Sequence, residues 1–162
     1  MTENQFRRLN HAAASPKALQ AMLQLSGHPR KAGLKGDLIE LVSLRASQIN
    51  GCAFCIDMHT KELRAAGASE QKLYLLSVWR ETSLYSPRER AALGWTEALT
   101  RLGEEGVADE TYETALAEFG EAGLVDLTVT VIAINGWNRL NIAFGAEAGH
   151  YEAGMLTHLE AS

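Results

Sequence analysis

At 162 residues, with 46% hydrophobic and 22% charged side chains, the chain has the make-up of one globular domain that can bury a core without metal or disulfide support. A formal net charge of −5 leaves no basic surplus to neutralise phosphates, which argues against nucleic acid and anionic membranes as partners. No stretch approaches the roughly 20 apolar residues that span a bilayer. The N-terminal "MTENQFRRLNHAAAS" lacks the apolar run of a secretory signal, so a cytoplasmic setting is expected.

The elements read as helices in succession. Ser15-Pro16 pairs an N-cap residue with proline at the first helical position and opens "KALQAMLQL", which should stop near Gly27 because "GHPRKAGLKG" is turn-like. Asp37 is expected to cap "LIELVSLRASQIN", where Leu38, Leu41, Val42 and Arg45 recur at helical spacing until Gly51 interrupts. A third helix runs from about Cys52 to about Ala66, closed by Gly67. Ser69 caps "EQKLYLLSVWRE", and Ser86-Pro87-Arg88-Glu89 is a capping box opening "RERAALGWTEALTRL". Asp109 starts a shorter helix ending about Phe119. From Gly123 to Phe144 the centre "LVDLTVTVIAIN" is β-branched, but its length without a turn signal exceeds a typical strand, so a buried helix is expected. The fold class is therefore all-α, in a single domain covering residues 1–162.

Both cysteines of the chain lie in "NGCAFCIDMHTKE". Cys52 and Cys55 are three apart and His59 follows four later, so on a helix all three share one face near its start. Helix N-termini stabilise thiolates, and a nearby imidazole can take the thiol proton. A second cysteine at this spacing can attack a sulfenic acid on the first and close a disulfide. The arrangement suits reversible two-electron thiol chemistry in a compartment that keeps thiols reduced. A c-type haem site is excluded by Ile56, which stands where the histidine would follow the second cysteine. A zinc site would need a fourth ligand, for which Glu40 and Asp57 are the candidates. The plainest alternative makes the cysteines small core residues and His59 a locally satisfied imidazole.

"ELVSLRASQINGCAFCIDMHTKELRAAG", residues 40–67, resembles the core motif of the AhpD-like alkylhydroperoxidases within the carboxymuconolactone decarboxylase superfamily. The pattern of Glu, eleven residues, Cys, two residues, Cys, three residues, His falls on Glu40, Cys52, Cys55 and His59 with every spacing kept. "YLLSVWRETSLYSPRERAALGWTEALT" and "INGWNRLNIAFG" look like downstream helices of the same family. The resemblance implies an AhpD-like helical bundle assembling into trimers or hexamers, and reduction of alkyl hydroperoxides with no bound cofactor and no metal. It implies that Cys55 is the peroxidatic cysteine and Cys52 the resolving one, with Glu40 and His59 as proton relay and a lipoyl-type or other dithiol as reductant. The residues themselves point partly elsewhere: Cys52, nearer the helix end, would gain more from the dipole and be the more exposed, while Cys55 is the one a single turn from His59. AhpD has a second histidine directly before its peroxidatic cysteine, and here Phe54 stands in that place.

A carboxymuconolactone decarboxylase-like enzyme is the alternative within the superfamily, disfavoured because that chemistry needs no thiol pair. A redox sensor or zinc-binding module without catalysis is the alternative outside it. Glu40, set among apolar neighbours, is expected to have a raised pKa if buried. Trp79-Arg80-Glu81 reads as lining a channel or a subunit interface, or as core packing with snorkelling arginines. The stretch from Trp137 to Asn141 reads as an interface, because its asparagines sit awkwardly on an apolar helix. His11, His28, His150 and His158 lack partners at ligand spacing and are expected at the surface.

Overall fold

The computed structural model describes residues 6–155, in which the helices are α1 (His11–Ala14), α2 (Pro16–Lys31), α3 (Gly36–Asn50), α4 (Ala53–Ala65), α5 (Glu70–Tyr74), α6 (Pro87–Thr100) and α7 (Asp109–Phe144). A 3₁₀ segment, Leu76–Glu81, follows α5. Among the described residues β-pairing is limited to two isolated bridges, Phe6 with Ala146 and Gly103 with Gly106. No described helix is long and apolar enough to cross a membrane.

α3 is central: every residue from Leu41 through Ser47 is buried, the polar Ser43, Arg45 and Ser47 included. Leu38, Ile39 and Val42 meet α6 at Trp95 and α7 at Leu127 and Val131. On the opposite side Leu41 and Leu44 meet Leu63 of α4, Leu76 and Trp79. Each fully buried leucine contributes roughly 1.5–3 kcal/mol, so α3 is the element most of the core is built on.

The β-branched segment is helical, as its length implies. Leu124, Leu127, Val131, Ile134, Asn138 and Asn141 recur at three- and four-residue intervals and are all buried. Thr128 and Thr130 donate their hydroxyls back to the carbonyls of Leu124 and Asp126, at 2.7 and 3.0 Å, which keeps them satisfied inside a helix. α7 breaks at Gly120, whose φ of 68° is open to glycine at low cost, and this separates residues 109–119 from 121–144.

Three local expectations are corrected. α2 does not stop near Gly27 but continues to Lys31, through Pro29; Gly27 and Pro29 are both buried, and that packing outweighs the single backbone bond that proline forgoes in a last turn. Lys35, not Asp37, is the N-cap of α3, and Asp37 lies in its first turn, where its carboxylate accepts from the Leu38 N–H at 2.9 Å. The helix capped by Ser69 is interrupted: Val78 departs from helical geometry at φ −123°, turning Trp79 into the core. The capping box at Ser86 and Glu89 forms as read.

Trp79 is core, with Arg80 stacked over its ring at 4.1 Å. Its indole N–H donates to Glu97 Oε1 at 3.0 Å, where the Arg45 guanidinium also converges at 2.7 Å, and Arg80 binds the other oxygen. Burial pushes the Glu97 carboxyl up, but the hydrogen bonds from Arg80, Trp79 and Arg45 outweigh it and hold the group below its ordinary value. The carboxylate therefore stabilises the fold above the ordinary carboxylate value of 4.5, and this contribution is lost as pH falls through the lowered folded value. Glu97→Gln should cost about 3–5 kcal/mol near neutrality by stranding Arg45 and flatten the acid limb of stability; urea melts at several pH values check both.

Candidate active site

Gly51, at φ 72°, closes α3 in the left-handed region and reverses the chain into α4. Cys52 then takes the N-cap position of α4, its Sγ accepting from the Cys55 N–H at 3.4 Å, the role usually filled by serine or aspartate. Cys55 thus sits in the first turn, where unpaired N–H groups favour an anion. The two cysteines are joined as a disulfide with Cα atoms 5.4 Å apart, a separation that needs no backbone movement. The expectation that Cys52 would be the more exposed is not met: both are 1% exposed.

One turn on, His59 is buried, and its Nδ1 lies 2.6 Å from Glu40 Oε2. A carboxylate only accepts, so Nδ1 carries the proton and Nε2 presents its lone pair. That Nε2 is buried and bonded by no protein group, as found where a water or a substrate supplies the partner. Arg30 Nη2, from the last turn of α2, binds Glu40 Oε1 at 3.2 Å. Burial raises the Glu40 carboxyl, but the hydrogen bond and charge of His59, followed by those of Arg30, more than reverse this and leave it below its ordinary value. The expected rise is therefore corrected, because burial arrives together with the hydrogen bond of His59 and the Arg30 guanidinium.

Cys55, His59 and Glu40 line one cavity of about 120 Å³ between α2, α3, α4 and α7. Leu19, Leu23, Ile39, Phe54, Ile134 and Trp137 make most of its wall apolar. An apolar cavity near 150 Å³ takes a benzene-sized guest, so this one accommodates a compact organic group. Cys52 does not line it. The four predicted site residues are thus brought together, but with unequal access: Cys55 faces the cavity and Cys52 lies behind it.

Other residues complete the site that spacing alone did not reveal. Asn141 Nδ2 donates to Cys55 Sγ at 3.4 Å, and His11 Nε2 lies 3.3 Å from Asn141 Oδ1, so His11 is a cavity residue and not a surface one. The asparagines expected at an interface turn inward. Asn138, fully buried, donates to Ser47 and accepts from Asn50, at 2.9 and 2.8 Å, and Trp137 donates to Ser26 at 2.6 Å. The discernible signal was three asparagines on an otherwise apolar helix. His28 and His150 are exposed, His28 against Asp126 at 3.0 Å, and His158 lies outside the described residues. Among the described residues, no group of three or more His, Cys, Asp or Glu side chains is arranged to hold a metal ion.

Comparison with known proteins places this site in company. The sequence pattern of the carboxymuconolactone decarboxylase family matches residues 16–98, which include all four motif residues. The uncharacterized protein YdfG of Bacillus subtilis is 37% identical over 142 residues, covering 88% of this chain and 97% of that protein. A crystal structure of a protein of unknown function from Agrobacterium tumefaciens, suggested to be the antioxidant defence protein AhpD, is 46% identical, with a TM-score of 0.84 over 89% of this chain and 99% of that one. The alkyl hydroperoxide reductase AhpD of Bradyrhizobium diazoefficiens is 38% identical over 74 residues, 43% of this chain and 39% of that protein.

Proposed function

The chain belongs to the carboxymuconolactone decarboxylase family, and from that premise we propose that it is an AhpD-like thiol peroxidase that reduces organic hydroperoxides through Cys55 and Cys52. The observation that carries this reading is that His59, with Nδ1 held by Glu40 and a buried Nε2 that no protein group bonds, lines the same apolar cavity as Cys55.

In the reduced enzyme His59 takes the Cys55 thiol proton, and Glu40 holds the imidazolium that results. The thiolate attacks the terminal oxygen of the hydroperoxide and the O–O bond breaks. Its electron pair leaves on the alkoxide, which takes the proton back from His59 as an alcohol, while the sulfur keeps the hydroxyl as a sulfenic acid. The Cys52 thiol then attacks that sulfur, releasing water and forming the disulfide. A lipoyl-type or other dithiol reduces it by exchange, becoming a disulfide itself. The apolar wall favours alkyl and aryl hydroperoxides over hydrogen peroxide. Cytoplasmic location and assembly into trimers or hexamers belong to the same reading.

Steady-state consumption of cumene hydroperoxide with dihydrolipoamide as reductant tests it. Turnover that disappears when both cysteines are replaced supports the proposal; no turnover with any dithiol sinks it. Conversion of carboxymuconolactone by the double cysteine variant would move the assignment to the decarboxylases. Stoichiometric zinc in the purified protein would move it to a metal-binding module.

A further inference from the structure

The proton relay of His59 and Glu40 accounts for one side of Cys55. On its other side the sulfur meets the side chain of Asn141, near the end of α7, whose Nδ2 lies 3.4 Å from Sγ. A carboxamide can present either its NH2 or its oxygen to a neighbour, and which one is set by what the other end bonds. Here the oxygen end faces His11 Nε2 at 3.3 Å. An amide oxygen only accepts, so His11 Nε2 carries a proton and the NH2 group is directed at sulfur.

His11 is itself held. Its ring stands edge-on to Phe6, with centroids 5.2 Å apart, and lies 5.7 Å from Phe144. The segment that carries it is tied to the end of α7 by Arg7 N–H to the Gly145 carbonyl at 2.9 Å and Arg8 Nη1 to the Ala143 carbonyl at 2.7 Å. His11 and Asn141 both lie outside residues 16–98, so the pair is not part of the matched family segment.

We propose that Asn141 is a fixed hydrogen-bond donor to the Cys55 sulfur, and that His11 is a positioning residue that holds the Asn141 amide in its donating orientation. To a disulfide sulfur this bond is weak. To a thiolate it is charge-assisted and much stronger. The pair therefore favours the reduced, ionised form of Cys55 over both the neutral thiol and the disulfide. The proposal rests on Cys55 being the reacting thiol.

The other titratable or charged groups around this sulfur are His59 on its own helix and Glu40 of α3, with Arg30 of α2 behind the latter; α7 contributes no charged side chain to the cavity. None of these touches Asn141 in the structure's hydrogen bonds, so the contribution of the amide can be isolated by mutation.

The test uses the reduced full chain with Cys52→Ser, so that Cys55 alone titrates, followed by thiolate ultraviolet absorbance against pH. Asn141→Ala should move the midpoint up by about one to two pH units. His11→Ala should move it in the same direction by less, and His11→Gln, which keeps a donor without a charge, should restore it. With both cysteines present, Asn141→Ala should also shift the equilibrium with a glutathione buffer at least about tenfold towards the disulfide. An unchanged midpoint in folded Asn141→Ala overturns the proposal. If that variant does not fold, equal midpoints for wild type, His11→Ala and His11→Gln overturn it. None of these measurements involves hydroperoxide, so a protein that shifts as expected yet consumes no hydroperoxide would refute the proposed function alone.

Discussion

Cys55→Ser should abolish hydroperoxide reduction, by about a thousandfold or more, because it removes the one thiol that lines the cavity. Cys52→Ser should instead leave a single turnover per chain. Cys52 lies behind Cys55 as the N-cap of α4, able to reach its partner but not a molecule in the cavity. Without it the Cys55 sulfenic acid has nothing to close upon, and mass spectrometry after one equivalent of hydroperoxide should show one added oxygen, trappable with dimedone. If Cys52→Ser were the dead variant and Cys55→Ser accumulated the sulfenic acid, the roles would be reversed, as position relative to the helix end alone would have favoured.

The second large effect falls on the relay. His59→Gln should lower kcat/KM by about 10²–10⁴, the usual range for loss of a general base, while leaving the Cys52–Cys55 disulfide able to form under a strong oxidant. Glu40→Gln should lower it less, because Gln accepts the Nδ1 proton but does not balance an imidazolium. Glu40 is held below its ordinary value of 4.5 by His59 and Arg30 against the upward push of burial. Its carboxylate therefore contributes stability that is complete above that value and is lost as pH falls through the lowered folded value. Glu40→Gln should remove that part of the acid limb, seen as a smaller loss of melting temperature between neutral and strongly acid buffers. Parallel acid limbs for the two proteins would mean that the Glu40–His59 pair does not form in solution.

The fold was legible where one residue governs geometry. Pro87 with Ser86 and Glu89 fixes the start of α6, Gly51 the end of α3, and Asp109 with Phe119 bracket the short helix before the glycine break. It was misread where packing overrides such marks. α2 runs on through Gly27 and Pro29 because both are buried, and the 3₁₀ segment after α5 bends to seat Trp79 against Glu97.

The site divides in the same way. Glu40 and His59 lie on consecutive helices joined by a tight turn, so a fixed spacing brings them together and sequence alone could pair them. His11 and Asn141 are separated by 130 positions and meet only because the N-terminal segment lies across the end of α7. No local pattern encodes that meeting. Asn141 did stand out as polar in an apolar helix, but polarity marks a buried partner and an exposed interface alike. The direction of the Glu40 shift escaped because burial was weighed without the hydrogen bond of His59, the larger lowering cause, or the Arg30 guanidinium, which arrives from a segment that reads as a turn.

Counting free thiols in the reduced chain before and after one equivalent of cumene hydroperoxide tests the thiol chemistry itself, because it requires no knowledge of the reductant. Two thiols per chain should fall to none, with one Cys52–Cys55 disulfide recovered by peptide mapping and one cumyl alcohol formed per chain. Two thiols remaining after the hydroperoxide has been given time to react would mean that Cys55 and Cys52 do not reduce it.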